Sequence, residues 1–398
     1  MKWRHVLVLI NICIALLPVS GCKKLDMGKQ DIVNNFFISV CGVDKDAGDN
    51  LLITVAQRPV TSSDDGQDGK KKKMEIITEA GITVFEANRR IRVTAHKDLF
   101  WGHMDYLIVG EAAARKDFLE CLDYFVHDHE TRLGALVMVV KETSAKVFIE
   151  ETRMSSDMAI DERLSNQFNN LGRRSMSGEV KVYQCADMFL NERRDACLPC
   201  VMMRDTMPTQ EEGEQDIVLN GFAVFKDERL IDFIHDEMAR GYNWIIGEVI
   251  SGYINVKSAE GEDITLEIVR TGSSLDVSIA EGILTADIKV QMSTNIGEVR
   301  GREFAFEEDS LAHLIEAQNQ VVRSEIRDVI DFAKANNADI FGFEDAYYHA
   351  RPLEWEREYR DKWDELFPQM NVDISVESDV LNSYMIDEGL KSGKEESK

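Results

Sequence analysis

Basic residues are in short supply in this 398-residue chain. Lys and Arg number 46 against 72 Asp and Glu, for a formal net charge of −26. A body this acidic repels nucleic acid and anionic headgroups alike, so no nucleic-acid partner is expected. The local exception, Lys70–Lys73, lies in the Gly/Asp/Ser-rich stretch Ser62–Lys73. It reads as a solvated hairpin tip in preference to a loop touching headgroups. Long apolar runs are also missing: after Cys22 none reaches the ~20 residues of a membrane-spanning helix. Catalytic signatures are absent too, with no Gly-rich phosphate loop, Gly-x-Ser-x-Gly elbow or metalloprotease motif. His127-Asp128-His129 offers two imidazoles, but no second His or Cys cluster at ligand spacing joins it, so it reads as a solvated turn. The acids are spread along helix faces, and no pair stands out as acid and base. The expectation is a chain with no catalytic, cofactor-binding or metal residues, one that is not an enzyme.

What the sequence does have begins at residue 1. Lys2 and Arg4 give a basic start, and Val6–Leu17 is an apolar run interrupted only by Asn11. The run is too short to cross a bilayer comfortably. It ends in Leu17-Pro18-Val19-Ser20-Gly21-Cys22, whose last four residues read as a lipobox: an aliphatic, two small residues and the cysteine. Small residues are needed there because the chain must lie extended in a peptidase cleft beside the acylated thiol. An ordinary signal peptide with a chance cysteine is the competing reading, but position, length and cysteine all favour acylation at Cys22. Each buried methylene contributes about 0.8 kcal/mol, and two acyl chains hold a protein where one does not. Lys23–Gln30 is then a short polar tether, so the body is expected close to the bilayer surface.

Cys13 leaves with the signal and Cys22 takes lipid, so Cys41, Cys121, Cys185, Cys197 and Cys200 remain. Five cannot all pair within one chain. Cys41 and Cys121 fall in apolar patterns and read as small core residues. Cys197-Leu198-Pro199-Cys200 has the spacing of a redox pair, yet it precedes an apolar strand instead of opening a helix. A structural disulfide stays open there.

The hydrophobic periods predict an α+β, multidomain chain. The first half alternates strands (Asp31–Asp44, Leu51–Arg58, Met74–Glu79, Tyr106–Gly110, Ala135–Lys141, Leu198–Met203) with helices (Thr83–Val93, Ala112–Val126, Ala159–Leu171, Val180–Asn191), which implies a mixed sheet with helices on it. The second half opens with an apolar pair, Val218–Phe225 and Leu230–Ile234. Three antiparallel strands near Glu248–Val256, Ile264–Val269 and Leu275–Gln291 follow, and then a long helix, Glu307–Ala335. A helical patch, Tyr347–Phe367, and a strand, Val372–Val376, complete it. The expected units are a signal peptide at 1–21, an N-terminal domain at 22–206 and a linker at 207–216. A C-terminal domain of one or two subdomains at 217–380 and a disordered tail at 381–398 follow.

Several motifs carry a resemblance. Asn220-Gly221-Phe222-Ala223-Val224-Phe225-Lys226-Asp227 is one. Glu237-Met238-Ala239-Arg240-Gly241 with Trp244 and Gly247 is another. Ala338-Asp339-Ile340-Phe341-Gly342-Phe343 and Lys362-Trp363-Asp364-Glu365-Leu366-Phe367-Pro368 follow in order. With Phe100-Trp101-Gly102-His103, Ile108-Val109-Gly110-Glu111 and Glu130-Thr131-Arg132-Leu133, the sequence resembles the Ger(x)C family of spore germination lipoproteins. That resemblance implies the C subunit of a nutrient germinant receptor, lipid-anchored on the outer face of the inner spore membrane. Its partners would be integral-membrane A-type and transporter-like B-type subunits. Lys23-Lys24-Leu25-Asp26 departs from the Trp-Asp-Arg-type residues usual after the lipid cysteine, which puts contacts of that neck in doubt. The alternative is an extracytoplasmic solute-binding lipoprotein that captures a small nutrient itself; two similar lobes of strand–helix units would mark it, and the sequence does not show them. From the residues alone, Gly221, Gly241, Gly247 and Gly342 suit tight turns or close backbone approach, and Trp244 and Trp363 suit the core. Glu237 and Arg240, three apart, would make a surface pair on a helix, with a partner-facing patch as the sharper reading.

The lipobox reading is checked by mass spectrometry of the mature N-terminus, where diacylated Cys22 is expected. Cys22→Ala should abolish acylation and release the protein from membranes.

Overall fold

The computed structural model describes residues 35–57, 74–155, 158–205, 215–300 and 308–383, and its first strand, β1 (Asn35–Lys45), is the middle of a large mixed sheet. β1 is almost continuously apolar because both of its faces are covered. A register shift between Ile38 and Val40 keeps Phe36 and Ile38 on the same face as Cys41 and Val43. On one side β2 (Leu51–Gln57) and β3 (Glu75–Gly81) continue the sheet antiparallel. The short β4 (Asp98–Phe100) runs parallel to the first residues of β1. On the other side come β5 (Tyr106–Gly110) and β6 (Leu136–Val140), both parallel, then β7 (Cys197–Asp205), also parallel. Lys70–Lys73 lie outside the described residues, as do Cys22 and the rest of residues 1–34. Gln57 and Glu75, which flank residues 58–74, pair with each other beside Ile38, so both sit at the Asn35 end of the sheet.

Helices cover both faces. α1 (Val84–Ala95), α2 (Glu111–Lys116), α3 (Phe118–His127) and α6 (Val182–Leu190) pack on one, while α4 (Ala145–Ser155) and α5 (Ile160–Asn169) pack on the other. α1 buries Val84, Ala87, Asn88 and Ile91, the face expected from its spacing, and Thr83 caps it by accepting from Glu86 N at 3.1 Å. α4 has no counterpart among the predicted elements. Its start is set by Ser144, whose hydroxyl accepts from Val147 N at 3.1 Å.

The sheet does not stop at the expected boundary near 207–216. β8 (Gln215–Lys226) pairs antiparallel with β7, and β9 (Arg229–Ile234) pairs with β8, so residues of the second half complete the first half's sheet. Residues 206–214 between them lie outside the described residues. Within β8, Asn220-Gly221 forms a bulge: Pro199 faces Phe222 but Val201 faces Leu219. The extra residue keeps Phe222 and Val224 on the sheet face of Ile217 and Leu219, although the core they enter is different. Gly221 has φ 92°, and a Cβ there would lie 2.2 Å from Ile234 O.

Beyond β9 the chain builds a second layer. α7 (Asp236–Ile246) is buried on nearly every side, with Ala239, Arg240, Gly241, Tyr242, Asn243, Trp244 and Ile245 all inaccessible. A four-stranded sheet follows, β10 (Gly252–Lys257), β11 (Asp263–Ala280), β12 (Ile283–Arg300) and β13 (Asn371–Ser383). The first three strands are antiparallel, but the hairpin turns at Glu281-Gly282, inside the stretch expected as the single strand Leu275–Gln291, so Leu275–Ala280 prolongs β11. β13 joins parallel to β12 and continues three residues into the stretch expected as tail. Residues 384–398 lie outside the described residues. The alternating apolar residues of β11 and β12 meet Leu314, Val322, Ile326, Val329 and Ile330 of the long helix α8 (Glu308–Ala335). A polar relay fixes that packing. Thr294 donates to Gln318 Oε1 (2.8 Å), Gln318 Nε2 donates to Ser378 Oγ (2.7 Å), and Ser378 donates to Asn319 Oδ1 (2.6 Å). No helix among the described residues is long and apolar enough to cross a membrane.

Arg240 corrects the sequence reading. It is no surface partner of Glu237: it is 3 % exposed and forms a two-pronged ion pair with the buried Glu325 of α8. Its Nη1 donates to Tyr253 O at 2.9 Å, and Trp244 Nε1 donates to Glu325 Oε2 at 2.9 Å. Three-residue spacing placed Glu237 and Arg240 on one helix face, but Glu237 stays exposed while Arg240 turns inward, because β8, β11 and α8 pack against α7. Removing one member strands a buried charge. Glu325→Ala should therefore lose about 3–5 kcal/mol in urea unfolding, while Arg240→Met with Glu325→Leu recovers most of it.

Candidate functional site

Three of the motif segments that were separate in sequence come together where the two halves meet. Glu192–Asp195 leads into β7, and Lys226-Asp227 turns β8 into β9. Residues 337–344 lead from α8 into α9 (Phe343–Ala350), and a broken helical stretch at 355–367 closes over them. Together they line a polar cleft of about 250 Å³. Asp339 is its organising residue. Its carboxylate accepts from Gly342 N (3.0 Å), Phe343 N (3.0 Å) and Glu344 N (2.8 Å), so it caps α9. Gly342, at φ 76°, supplies the left-handed turn between them.

Asp339 also exchanges backbone bonds with the first half. Asp195 N donates to Asp339 O at 3.0 Å, and Asp339 N donates to Asp195 Oδ2 at 2.8 Å. Lys226 bridges Asp195 (3.2 Å) and Asp364 (3.3 Å). Arg194 donates to Ile340 O (3.1 Å) and to the Tyr242 hydroxyl (3.0 Å), and Arg193 pairs with Asp345 at 3.0 Å. Trp355 Nε1 donates to Glu344 Oε1 at 3.0 Å. These charged groups are engaged with one another, so the cleft acts as a clasp between the halves. Burial pushes the Asp339 carboxyl up to about 6, with its three backbone donors pulling back. Burial likewise pushes Glu344 up to about 7; the Trp355 N–H opposes this, and Asp339 and Asp364 add to it.

A second place to look for function is the carboxyl end of the parallel strands, where open α/β sheets commonly hold ligands. Here Asp44, at the end of β1 and 5 % exposed, occupies it. Its two oxygens accept from Ala145 N and Lys146 N at the N-terminus of α4, both at 2.8 Å. Gly110 makes the room, since a Cβ there would lie 1.9 Å from Asp44 Oδ1. Neighbouring Glu111 accepts from Glu142 N at 2.7 Å. The chain's own carboxylates fill the position of an anionic ligand.

The remaining sequence candidates fall elsewhere. Cys41, Cys121, Cys185, Cys197 and Cys200 are buried free thiols. Cys197 faces the second-half core and Cys200 the first-half core, and burial pushes the Cys197 thiol up to about 12. Such thiols are poor nucleophiles. His127 is exposed at the end of α3 and contacts Asp123 O of its own helix at 3.0 Å. Trp244 and Trp363 are core residues, 1 % and 4 % exposed. Among the described residues no group of three His, Cys, Asp or Glu is placed to hold a metal. Asp44 and Asp195 were not singled out from sequence, and Asp339 entered only within the motif Ala338–Phe343, with no role assigned to it.

The clasp should make stability fall as pH rises. Glu344 titrates near 7 when folded against 4.5 ordinarily, so between those values the folded chain holds a proton that the unfolded chain releases. Melting from about pH 5 to pH 8 should show Glu344→Gln losing part of the decline that the parent shows.

Comparison with known proteins fits this architecture. Residues 28–203 match the family model "Spore germination protein N-terminal domain", and residues 220–384 match "Spore germination B3/ GerAC like, C-terminal". The chain is 21 % identical to spore germination protein KC of Bacillus subtilis (strain 168) over 409 aligned residues, covering 98 % of each. It is 18 % identical to spore germination protein YndF of the same organism, covering 94 % of this chain and 95 % of that protein. Its fold is similar to the crystal structure of the GerBC protein, with a TM-score of 0.56 at 16 % identity over 86 % of this chain and 97 % of that one. The matched segments meet within one continuous sheet, and the chain belongs to the Ger(x)C family of spore germination proteins.

Proposed function

We propose that this chain is the lipid-anchored, non-enzymatic subunit of a nutrient germinant receptor. Its role in spore germination follows from the family. The finer reading places it on the outer face of the inner spore membrane, held by acylated Cys22. There it serves as an interaction scaffold for integral-membrane A-type and transporter-like B-type subunits. The observation that carries the scaffold over a solute-capturing role is the occupied strand end: Asp44 already sits on the α4 amides where an open α/β sheet would receive an anionic group. The polar cleft supports the same reading, because its charged side chains are matched to each other across the two halves. A body held near the bilayer meets membrane partners at high effective concentration, so a modest interface suffices.

Calorimetry of the purified chain against a panel of amino acids and sugars is expected to give no micromolar binding, and affinity purification from spore membranes should recover the integral subunits. Micromolar binding of one nutrient would replace the scaffold with the solute-binding alternative.

A further inference from the structure

The two ends of β1 differ in what they present. At Lys45 the sheet ends in an acidic turn, Asp46 to Asn50, beside Glu120. At Asn35 it ends in aromatic rings: Phe37, Phe100 and His103 form a trio with centroids 5.2 to 5.6 Å apart. Phe100 is 44 % exposed and His103 is exposed, so the trio is open to solvent on one side. Two carboxylates close to it are matched: Lys97 pairs with Glu75 at 2.7 Å and Arg132 with Asp105 at 3.0 Å. In a chain of net charge −26, this end offers aromatic surface with Glu75 and Asp105 each held by a basic side chain.

The chain leading to that end decides what covers it. Twelve residues, 23–34, lie between Cys22 and Asn35. Even fully extended they reach at most about 45 Å. The Lys45 end lies about 33 Å farther along β1. An acyl group on Cys22 therefore keeps the aromatic end within about 45 Å of the bilayer while the far turn can lie farther out, and apolar rings such as Phe bury at the headgroup boundary.

We infer that the Asn35 end of the large sheet, through Phe37, Phe100 and His103, rests on the lipid headgroups and sets the orientation of the body on the membrane. This rests on the anchor proposed above and adds to it which surface faces the bilayer and which is left for protein partners.

The test uses the full lipidated chain in phosphatidylcholine vesicles containing phosphatidylglycerol and a headgroup-attached quencher. The five body cysteines are buried, so one fluorophore can be placed on Asp98→Cys, beside the trio, or on Ala47→Cys, in the far turn. Quenching several-fold stronger at position 98 than at 47 is expected, and Phe100→Ser should bring the ratio down towards one. Vesicle-bound protein with equal quenching at both positions, or stronger quenching at 47, overturns the inference while leaving the anchor intact. Protein that does not bind vesicles at all overturns the anchor reading and this one with it. Shielding of position 98 that appears only when integral subunits are co-reconstituted assigns the surface to a protein partner and overturns contact with lipid.

Discussion

The crossing of α7 over α8 is the constraint on which the rest of the second half depends. Gly241 lets the two backbones meet, since a Cβ there would lie 2.1 Å from Glu325 O. That closeness puts the Glu325 carboxylate within reach of both Arg240 and Trp244. Two charges leave water at considerable cost, which good geometry and filled lone pairs must offset. Here one oxygen of Glu325 receives a guanidinium prong, and the other receives a second prong and an indole N–H. The pair supplies register more than stability: only one rotation and one height of α7 satisfy it. With α7 set, the β8–β9 hairpin before it and β10 after it have fixed points of departure.

Much of this architecture was legible in the chain because its elements obey simple periods. The buried face of α1, the apolar strands β5 and β6, the alternating β11 and β12 and the long α8 all follow from burying one stripe or both faces. α7 was not legible for the opposite reason. Seven successive residues of it, Ala239–Ile245, are buried, and the polar Arg240 and Asn243 among them look like surface residues until their partners 85 and 68 positions away are known. The parallel pairing of β13 was hidden as well, because a period of two gives a strand but not its direction. The same limit applies to the clasp: Asp195 and Asp339 lie 144 residues apart and carry no local sign of each other.

The β8 bulge shows how one residue joins two cores. Without the extra position at Asn220-Gly221, the alternation would turn Phe222 and Val224 to the opposite face, away from Tyr242 and Trp244. The same bulge receives Met176 O on Gly221 N at 2.7 Å, and Asn220 Nδ2 donates to Asp236 Oδ1 at 2.8 Å at the start of α7. Sheet, connecting segment and helix are thus pinned at one spot. The two halves fold as partners, since the second supplies two strands to the first.

β1 has neighbours on both sides, and this gives the molecule a mechanical character. Tension applied to the chain ahead of Asn35 runs along the strand axis, across the antiparallel ladder with β2 and the slanted parallel ladders with β4 and β5. Such a load strains the ladders in shear, many bonds at once, instead of opening them one after another as in a zipper. Among the described residues β1 is therefore well placed to resist being drawn out of the body.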